Sequence, residues 1–146
     1  MIRNARMGDI KKIYKLLQYF ADKDLLLGRS LSSLYDQLRD FTVFVDKEQE
    51  DPDQESLVGV CALHISWENL AEIRSLAVID EYHGKGVGKQ LINRALEEAD
   101  SYGITRVFTL TYQPKFFRKL GFKDIDKSEL PHKVWSDFIN CSKFPD

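Results

Sequence analysis

Three glycines alternate with other residues directly before a helical pattern, in the stretch HGKGVGKQLINRALEEA from His83 to Ala99. A strand that leads through a glycine-rich turn into a helix often binds phosphate. Glycines let successive N–H groups point into one concavity, and the helix N-terminus carries partial positive charge. Lys85, Lys89 and His83 add charge that can reach an anion. The alternative is a tight turn in which the glycines serve backbone geometry alone.

Two familiar phosphate-binding motifs do not fit this turn. A P-loop requires G-x-x-x-x-G-K-[ST], but Gly88-Lys89 is followed by Gln90, and His83 stands where the first glycine belongs. The dinucleotide fingerprint requires G-x-G-x-x-G and an acidic residue about 20 positions later. Here the spacing is G-x-G-x-G, and the later stretch is the apolar RVFTL. The turn therefore predicts a phosphate ligand of another kind.

The elements that must position this turn alternate only in part between helix and strand. Helices are predicted over DIKKIYKLLQYFADKDLL, with Asp9 as cap, over RSLSSLYDQLRD, with Ser30 as cap, and over QPKFFRKLGF, from Pro114 to near Gly121. Strands are predicted at FTVFV, LVGVCALHI, AEIRSLAVI and RVFTLTY, the middle two antiparallel, and the tail should hold a last strand and a short helix. This order predicts an α/β (mixed α+β) architecture with a mixed sheet.

Length and composition fit one domain over residues 1–146. A net charge of -2 argues against a nucleic-acid partner. No apolar run approaches the roughly 20 residues that span a membrane, and the N-terminus lacks a signal-peptide pattern. The two cysteines do not make a disulfide framework or a metal quartet, so a reduced, cytoplasmic setting and no metal are expected.

The stretch HGKGVG resembles the signature [RQ]-x-x-G-x-[GA] of the GNAT acyl-CoA N-acyltransferases, with His83 where that family usually carries arginine or glutamine. The resemblance covers nearly the whole chain and implies the GNAT fold, a twisted mixed sheet flanked by helices, with acetyl-CoA as co-substrate. It implies that backbone N–H groups hold the CoA pyrophosphate and that the pantetheine arm lies like an added strand where two parallel strands separate. The implied cofactor-binding residues are Leu76, Ala77, Val78, His83, Gly84, Lys85, Gly86, Val87, Gly88 and Lys89.

Acyl transfer from a thioester to an amine requires a neutral amine, a polarised carbonyl and a proton for the leaving thiolate. Since primary amines are mostly protonated at neutral pH, a base or a water relay must remove a proton. With the resemblance, we expect Glu72 to be this base, acting through water, and a backbone N–H near Leu76 or Ala77 to bind the carbonyl oxygen. Phe117 stands where many GNAT enzymes carry a tyrosine acid, which makes Tyr112 the nearest substitute. The alternative for Glu72 is an ordinary strand carboxylate without a catalytic role, and the alternative for Tyr112 is an aromatic residue of the core or of the rim.

Several segments resemble more narrowly the acetyltransferase domain of N-acetylglutamate synthase: LLLGRSLSSLYDQLRDFTV, AEIRSLAV, FTLTYQPKFFRKLGF and SELPHKVW…CSKFPD. Without the amino-acid-kinase domain of the longer enzymes, the resemblance implies a short, free-standing form. It implies that Arg29 clamps a carboxylate, because a guanidinium binds carboxylate in a bidentate fork. The same GRS stretch places Ser30 with Arg29 at the helix over the site, and Lys133 and Ser142 match positions near the amino-acid pocket.

Other polar residues leave alternatives open. Arg74 shares a strand face with Glu72 and is either a second clamp or simply the partner of Glu72. Asn140 stands where the resemblance leads us to expect a basic residue, which weakens the assignment of glutamate. His64 and His132 are interpreted as packing residues.

These observations predict an enzyme that acetylates the α-amine of an amino acid, with L-glutamate as the expected acceptor, in the first step of arginine biosynthesis. One alternative is an acetyltransferase for another small amine or amino acid. Another is a non-catalytic CoA-binding sensor, which Phe117 favours. The predicted partners are small molecules rather than nucleic acid or membrane, and assembly into a homodimer is left open.

Overall fold

A computed structural model describes residues 1–47 and 55–131 of the chain. It divides into two compact units, residues 1–110 and 111–146, and each is described by itself. The single domain expected from the sequence stays a prediction. Three regions lie outside the described residues: the predicted tail elements, the tail residues Lys133, Asn140 and Ser142, and most of the acidic stretch DKEQEDPDQES that follows FTVFV.

The first unit is a mixed five-stranded sheet with helices on both faces. Its strands are β1 (Ile2–Asn4), β2 (Phe41–Val45), β3 (Leu57–Trp67), β4 (Leu70–Val78) and β5 (Arg106–Thr109). They lie in the order β1-β2-β3-β4-β5, with antiparallel pairs except for the parallel pair of β4 and β5. Its α-helices are α1 (Ile10–Ala21), α2 (Leu31–Asp36) and α3 (Val87–Ser101). The mixed sheet and the antiparallel β3–β4 pair are confirmed, whereas β1 was missed.

The two sheet faces have different helices. On one face, apolar residues of α1 and α2 pack with Val43, Val60, Ala62 and Ala77 in a common core. On the other face, α3 lies so close to β3 that a Cβ on Gly59 would be 3.1 Å from side-chain atoms of both Leu91 and Val87. Alternate residues of β3 therefore face the α1–α2 side and the α3 side.

Strand β4 contains an irregularity that shapes its second half. Val60 pairs with Ala77 and Ala62 pairs with Arg74, so β4 has one more residue between these pairs than β3 has. Ser75, inside this bulge, has a φ of 54°, a left-handed conformation that costs a non-glycine residue roughly 1–2 kcal/mol. Pairing with β5 extends only from Leu70 to Ile73. The rest of β4 therefore has no β5 partner on that side.

The predicted caps differ in outcome. The Ser30 hydroxyl accepts a hydrogen bond from the Ser33 N–H at 3.1 Å and caps α2 as expected. Asp9 precedes α1, but its carboxylate makes no side-chain cap to that helix. It accepts instead from the Arg6 N–H at 2.7 Å and from Arg3, because a buried guanidinium competes for both of its oxygens.

In the second unit, α4 (Pro114–Lys119) begins at proline as predicted, and Gly121 follows with a φ of 96°. Phe117 is buried, and its ring packs edge-on against Phe116 and Phe122, each with centroids 5.2 Å away. It is therefore a packing residue within this unit. Throughout the described ranges of both units, no helix has the length and apolar character needed to cross a membrane.

A buried ion cluster ties β1 to the segments on either side of it. Arg3 donates to Asp9 at 2.8 and 3.0 Å and to Glu55 at 2.5 Å. Burial alone would raise the pKa of Asp9, but hydrogen bonds from Arg3 and from the Arg6 N–H outweigh it, so this pKa lies below its ordinary value. The cluster stabilises the edge of the sheet as long as Asp9 is ionised.

We predict that Asp9→Asn lowers the free energy of unfolding by about 3 kcal/mol at pH 7, because it breaks a buried pair and leaves Arg3 partly uncompensated. Since the native pKa of Asp9 is depressed, its stabilisation is present above about pH 4 and is lost as the pH falls through the native value. Urea unfolding at several pH values should therefore show the difference shrinking in acid.

The matched control is Asp124→Asn, which removes an exposed carboxylate 2.7 Å from Arg118. It should leave the unfolding midpoint unchanged. An Asp9→Asn protein as stable as the wild type at pH 7 would contradict the role given to the cluster.

Candidate active site

The glycine turn lies between β4 and α3. Gly84 and Gly86 have φ values of 78° and 81°, so both positions require the left-handed conformation that glycine adopts without strain. A Cβ at either position would meet no atom within 4 Å. The turn therefore needs glycine for its backbone path and leaves open space beside that path.

Several N–H groups of the turn point away from backbone acceptors. The N–H groups of His83 and Lys85 already donate to Asp80 and Tyr82. Within the described residues, no backbone carbonyl accepts from five others, those of Gly84, Gly86, Val87, Gly88 and Lys89. Three of these belong to the first turn of α3, a 15-residue helix whose dipole favours an anion here.

The unpaired edge of β4 begins a few residues before the turn. Ile79 donates to the Val58 carbonyl of β3 at 2.9 Å, so the alternation of an extended strand turns Val78 and Leu76 away from β3. Ala77 instead faces β3, where it pairs with Val60. Of the two residues predicted to offer an N–H near the acyl group, only Leu76 presents it to the unpaired edge.

His83 links the turn to this edge. Its Nε2 lies 2.6 Å from the Val78 carbonyl, which can only accept, so Nε2 carries the proton. The ring also stacks on Phe20 of α1, with centroids 6.3 Å apart and planes at 17°. The histidine that replaces the usual arginine or glutamine therefore contacts the protein itself and half of its side chain remains exposed.

A second polar region lies on the α1–α2 face of the sheet and is centred on Arg29. Its Nη2 donates to the Ser33 hydroxyl at 2.8 Å and to the side-chain Oε1 of Gln37. Its guanidinium lies over the ring of Phe41. Its Nη1 is buried and has no hydrogen-bond partner among the described residues. A buried cationic donor without an acceptor is costly, so the position suits an anionic ligand.

The charges around Arg29 come from two ion pairs. Burial lowers the pKa of Arg29 and nearby Arg74 adds to that effect, whereas Asp40 and Glu72 act in the opposite direction. Arg74 Nε donates to Glu72 Oε1 at 2.7 Å, so Arg74 is the partner of Glu72, one of the two roles expected from their shared strand face. Glu72 is 7% exposed and lies at the floor of this region.

The second ion pair was not found from the sequence. Nδ1 of His64 lies 2.7 Å from Oδ2 of Asp40. His64 is also the cross-strand neighbour of Glu72 in the β3–β4 pairing. The packing role assigned to His64 does not account for these contacts. The only signal was a charged residue, Asp40, directly before the buried strand β2.

The remaining predicted site residues have less informative positions. Ser30 is exposed and its hydroxyl caps α2. Tyr112 belongs to the second unit and is 37% exposed. Lys133 and Ser142 lie outside the described residues. Within residues 1–47 and 55–131, no group of three or more His, Cys, Asp or Glu side chains is arranged to hold a metal ion.

The chain is similar over most of its length to known proteins. The chain is 37% identical over 142 residues to the uncharacterized N-acetyltransferase CT2212 of Chlorobaculum tepidum, covering 97% of this chain and 87% of that one. It is 34% identical over 138 residues to an amino-acid acetyltransferase of Mycobacterium tuberculosis, covering 94% and 76%.

A solved structure extends the likeness to three dimensions. The N-acetylglutamate synthase from Neisseria gonorrhoeae, complexed with coenzyme A and N-acetyl-glutamate, matches with a TM-score of 0.85 and 29% identity, over 95% of this chain and 32% of that one. The model of the acetyltransferase (GNAT) family matches residues 10–122. The resemblance noted in the sequence is thereby confirmed: the chain belongs to the GNAT family and is an acetyltransferase.

Proposed function

We propose that the protein transfers the acetyl group of acetyl-CoA to the α-amine of an amino acid, with L-glutamate as the expected acceptor. The observation that carries this proposal is the buried Arg29 Nη1, a cationic donor without a partner in the described residues, beside the carboxylate of Glu72. An amino acid supplies an anion for Arg29 and brings its amine next to Glu72.

The glycine turn supports coenzyme A as the donor's carrier. Two N–H groups of the turn and three of the first turn of α3 have no backbone acceptor within the described residues, and the space beside Gly84 and Gly86 is open. A pyrophosphate there would accept from these N–H groups and lie at the positive end of the helix dipole. Lys85 and Lys89 are exposed and can add charge. The complex of the gonococcal synthase with coenzyme A supports the same ligand.

The edge of β4 supports the position of the thioester. A pantetheine arm extending from the turn would lie along Leu76 and Val78, whose backbone groups face away from β3. The Leu76 N–H is then the donor for the thioester oxygen, whose negative charge grows in the transition state. An amide of the arm that donates to the Val78 carbonyl would replace His83 there. Ala77 contributes to the shape of the strand.

The proton chemistry is assigned to Glu72, acting through a water molecule. The substrate amine must lose a proton before its lone pair attacks the thioester carbon, and the carbon–sulfur bond then breaks to release thiolate. Arg74 fixes the Glu72 carboxylate by the bond to Oε1. Tyr112 remains the proposed proton source for the thiolate, and some thiolate can leave unprotonated because the ordinary thiol pKa is about 8.5.

The choice of glutamate rests on the relatives. The names of the relatives from Mycobacterium tuberculosis and Neisseria gonorrhoeae indicate acetylation of amino acids and synthesis of N-acetylglutamate. For this chain, we propose L-glutamate as acceptor, with Lys133 and Ser142 near its side chain, a place in arginine biosynthesis, and a cytoplasmic location. Another small amine or amino acid is the second candidate, because Asn140 stands where a basic residue was expected.

The first prediction concerns the glycine turn. Gly86→Ala should weaken acetyl-CoA binding at least about tenfold, because a left-handed alanine costs roughly 1–2 kcal/mol and shifts the N–H groups of the turn. The matched control is Gly103→Ala at the other end of α3, where φ is 76° and a Cβ also meets nothing within 4 Å. Isothermal titration should show normal affinity for Gly103→Ala, and equal affinities in both variants would argue against this phosphate site.

The second prediction concerns Arg29. Arg29→Ala should raise the KM for the amino acid by about 100-fold or more, because a charged hydrogen bond to the substrate carboxylate is lost. It should leave the turnover of an alkylamine of the same chain length without any carboxylate unaffected. A thiol-release assay measures both, and Cys61 adds no background because burial raises the pKa of its thiol to about 12. An equal rise in KM for the amino acid and for the amine without a carboxylate would rule out a carboxylate clamp.

The third prediction concerns Glu72. Glu72→Gln keeps the size of the side chain and should lower kcat by about 100-fold or more with little change in acetyl-CoA affinity. Glu97→Gln, an exposed carboxylate on α3, is the control and should leave kcat unchanged. A Glu72→Gln enzyme with normal kcat would remove Glu72 from the proton path.

A further inference from the structure

The inference starts from the pairing of His64 with Asp40. Asp40 ends a short 3-10 helix, Leu38–Asp40, immediately before β2, and its Oδ2 lies 2.7 Å from His64 Nδ1. When Nδ1 carries the proton, it donates to the carboxylate, and Nε2 becomes the nitrogen that can accept a proton. The contact therefore selects the tautomer in which the outer ring nitrogen is a base.

This pair lies beside the residue assigned to proton removal. His64 is directly opposite Glu72 in the antiparallel β3–β4 register, so the two side chains extend from the same face with Cβ atoms about 5 Å apart. The His64 side chain is 27% exposed and that of Asp40 24%. A substrate beside Glu72 would therefore also be within reach of the imidazole.

The surrounding charges leave room for such a role. The charged groups near His64 and Asp40 on neighbouring elements are Glu72 and Arg74 on β4, Arg29 before α2 and Glu98 on α3. Arg74 donates a hydrogen bond to Glu72, and Arg29 lies near the carboxylates of Asp40 and Glu72. Among these groups, the carboxylates of Asp40, Glu72 and Glu98 outnumber the two guanidinium groups.

The chemistry requires more than one proton acceptor. An amino acid enters as an ammonium ion at neutral pH, and its nitrogen carries one hydrogen in the amide product of a primary amine. Two protons must therefore leave the nitrogen for each amide formed: one before the attack and one after the carbon–nitrogen bond forms. One can reach the departing thiolate and the other must reach solvent. A single carboxylate would have to release its first proton before it could take the second.

We propose that His64, held by Asp40, is a second proton acceptor for the substrate amine and works beside Glu72. His64 Nε2 takes the proton that converts the ammonium to the neutral amine and passes it to solvent across its exposed edge. Glu72 takes the second proton, through water, after the carbon–nitrogen bond forms, and one equivalent proton reaches the thiolate sulfur from Tyr112, the source proposed above, as the carbon–sulfur bond breaks. Asp40 is a positioning residue that keeps the proton of the neutral ring on Nδ1, so that Nε2 is the accepting nitrogen.

The test compares His64→Asn with the wild type. Asparagine can still donate to Asp40 from an amide nitrogen near the position of Nδ1, but it has no basic nitrogen. We expect kcat/KM to fall about tenfold or more, with unchanged acetyl-CoA affinity and melting temperature. The acidic limb of the profile of kcat/KM against pH should also lose one ionisation. A smaller fall, or a large fall with the same acidic limb, would overturn the proposal.

Asp40→Asn provides the second variant. An amide can donate to Nδ1 and so place the ring proton on Nε2, which should lower kcat/KM as strongly as His64→Asn does. The control is Asp124→Asn, which removes a carboxylate from an exposed ion pair in the second unit and should leave kcat/KM unchanged. Normal turnover in Asp40→Asn would contradict the positioning role.

This inference rests on the proposed amine acetylation but not on the choice of glutamate. The wild type is first assayed against a set of amino acids and small amines, and the variants are then measured with the amine that it acetylates fastest. If that amine is not an amino acid, the proposed acceptor is wrong, while the comparison of His64 and Asp40 variants still tests the second proton acceptor.

Discussion

The bulge in β4 is the constraint on which both parts of the candidate site depend. An extra residue at Ser75, with its left-handed φ, turns the second half of the strand. Before the bulge, the side chains of Glu72 and Arg74 extend from the sheet face that α1 and α2 cover. After it, Leu76 and Val78 present backbone groups to an edge that β5 does not cover. One local irregularity thus separates the Glu72–Arg74 pair from the unpaired edge at Leu76 and Val78 along a single strand.

The charged groups around Arg29, which are Asp40, Glu72 and Arg74, lie in a partly buried region. Two carboxylates and two guanidinium groups lie close together, yet one donor, Arg29 Nη1, remains without a partner in the described part of the chain. An unsatisfied buried donor is a cost to the folded protein, and a bound carboxylate would remove it. The substrate role proposed for Arg29 would explain why the folded protein tolerates this cost.

Much of this architecture could be predicted from the sequence because it follows local rules. Glycines at Gly84 and Gly86, helical spacing in α1, the Ser30 cap and the alternation that brings Arg74 to Glu72 all depend on residues near one another in the chain. The missed features are a very short strand and two side-chain contacts between different elements of the fold. β1 is only three residues long, Asp9 is drawn away from α1 by Arg3, and His64 meets Asp40 from 24 residues away. Periodicity carries no information about such pairs.

The central claim is that the turn before α3 and the unpaired edge of β4 together hold coenzyme A. Its most direct test is a titration of the ¹⁵N-labelled protein with coenzyme A, followed through the backbone amide resonances. The account predicts that the largest shifts occur at Gly84, Gly86, Gly88 and Lys89 and continue along Leu76 and Val78. Saturable binding that leaves these amides unchanged and shifts those of another surface would contradict it.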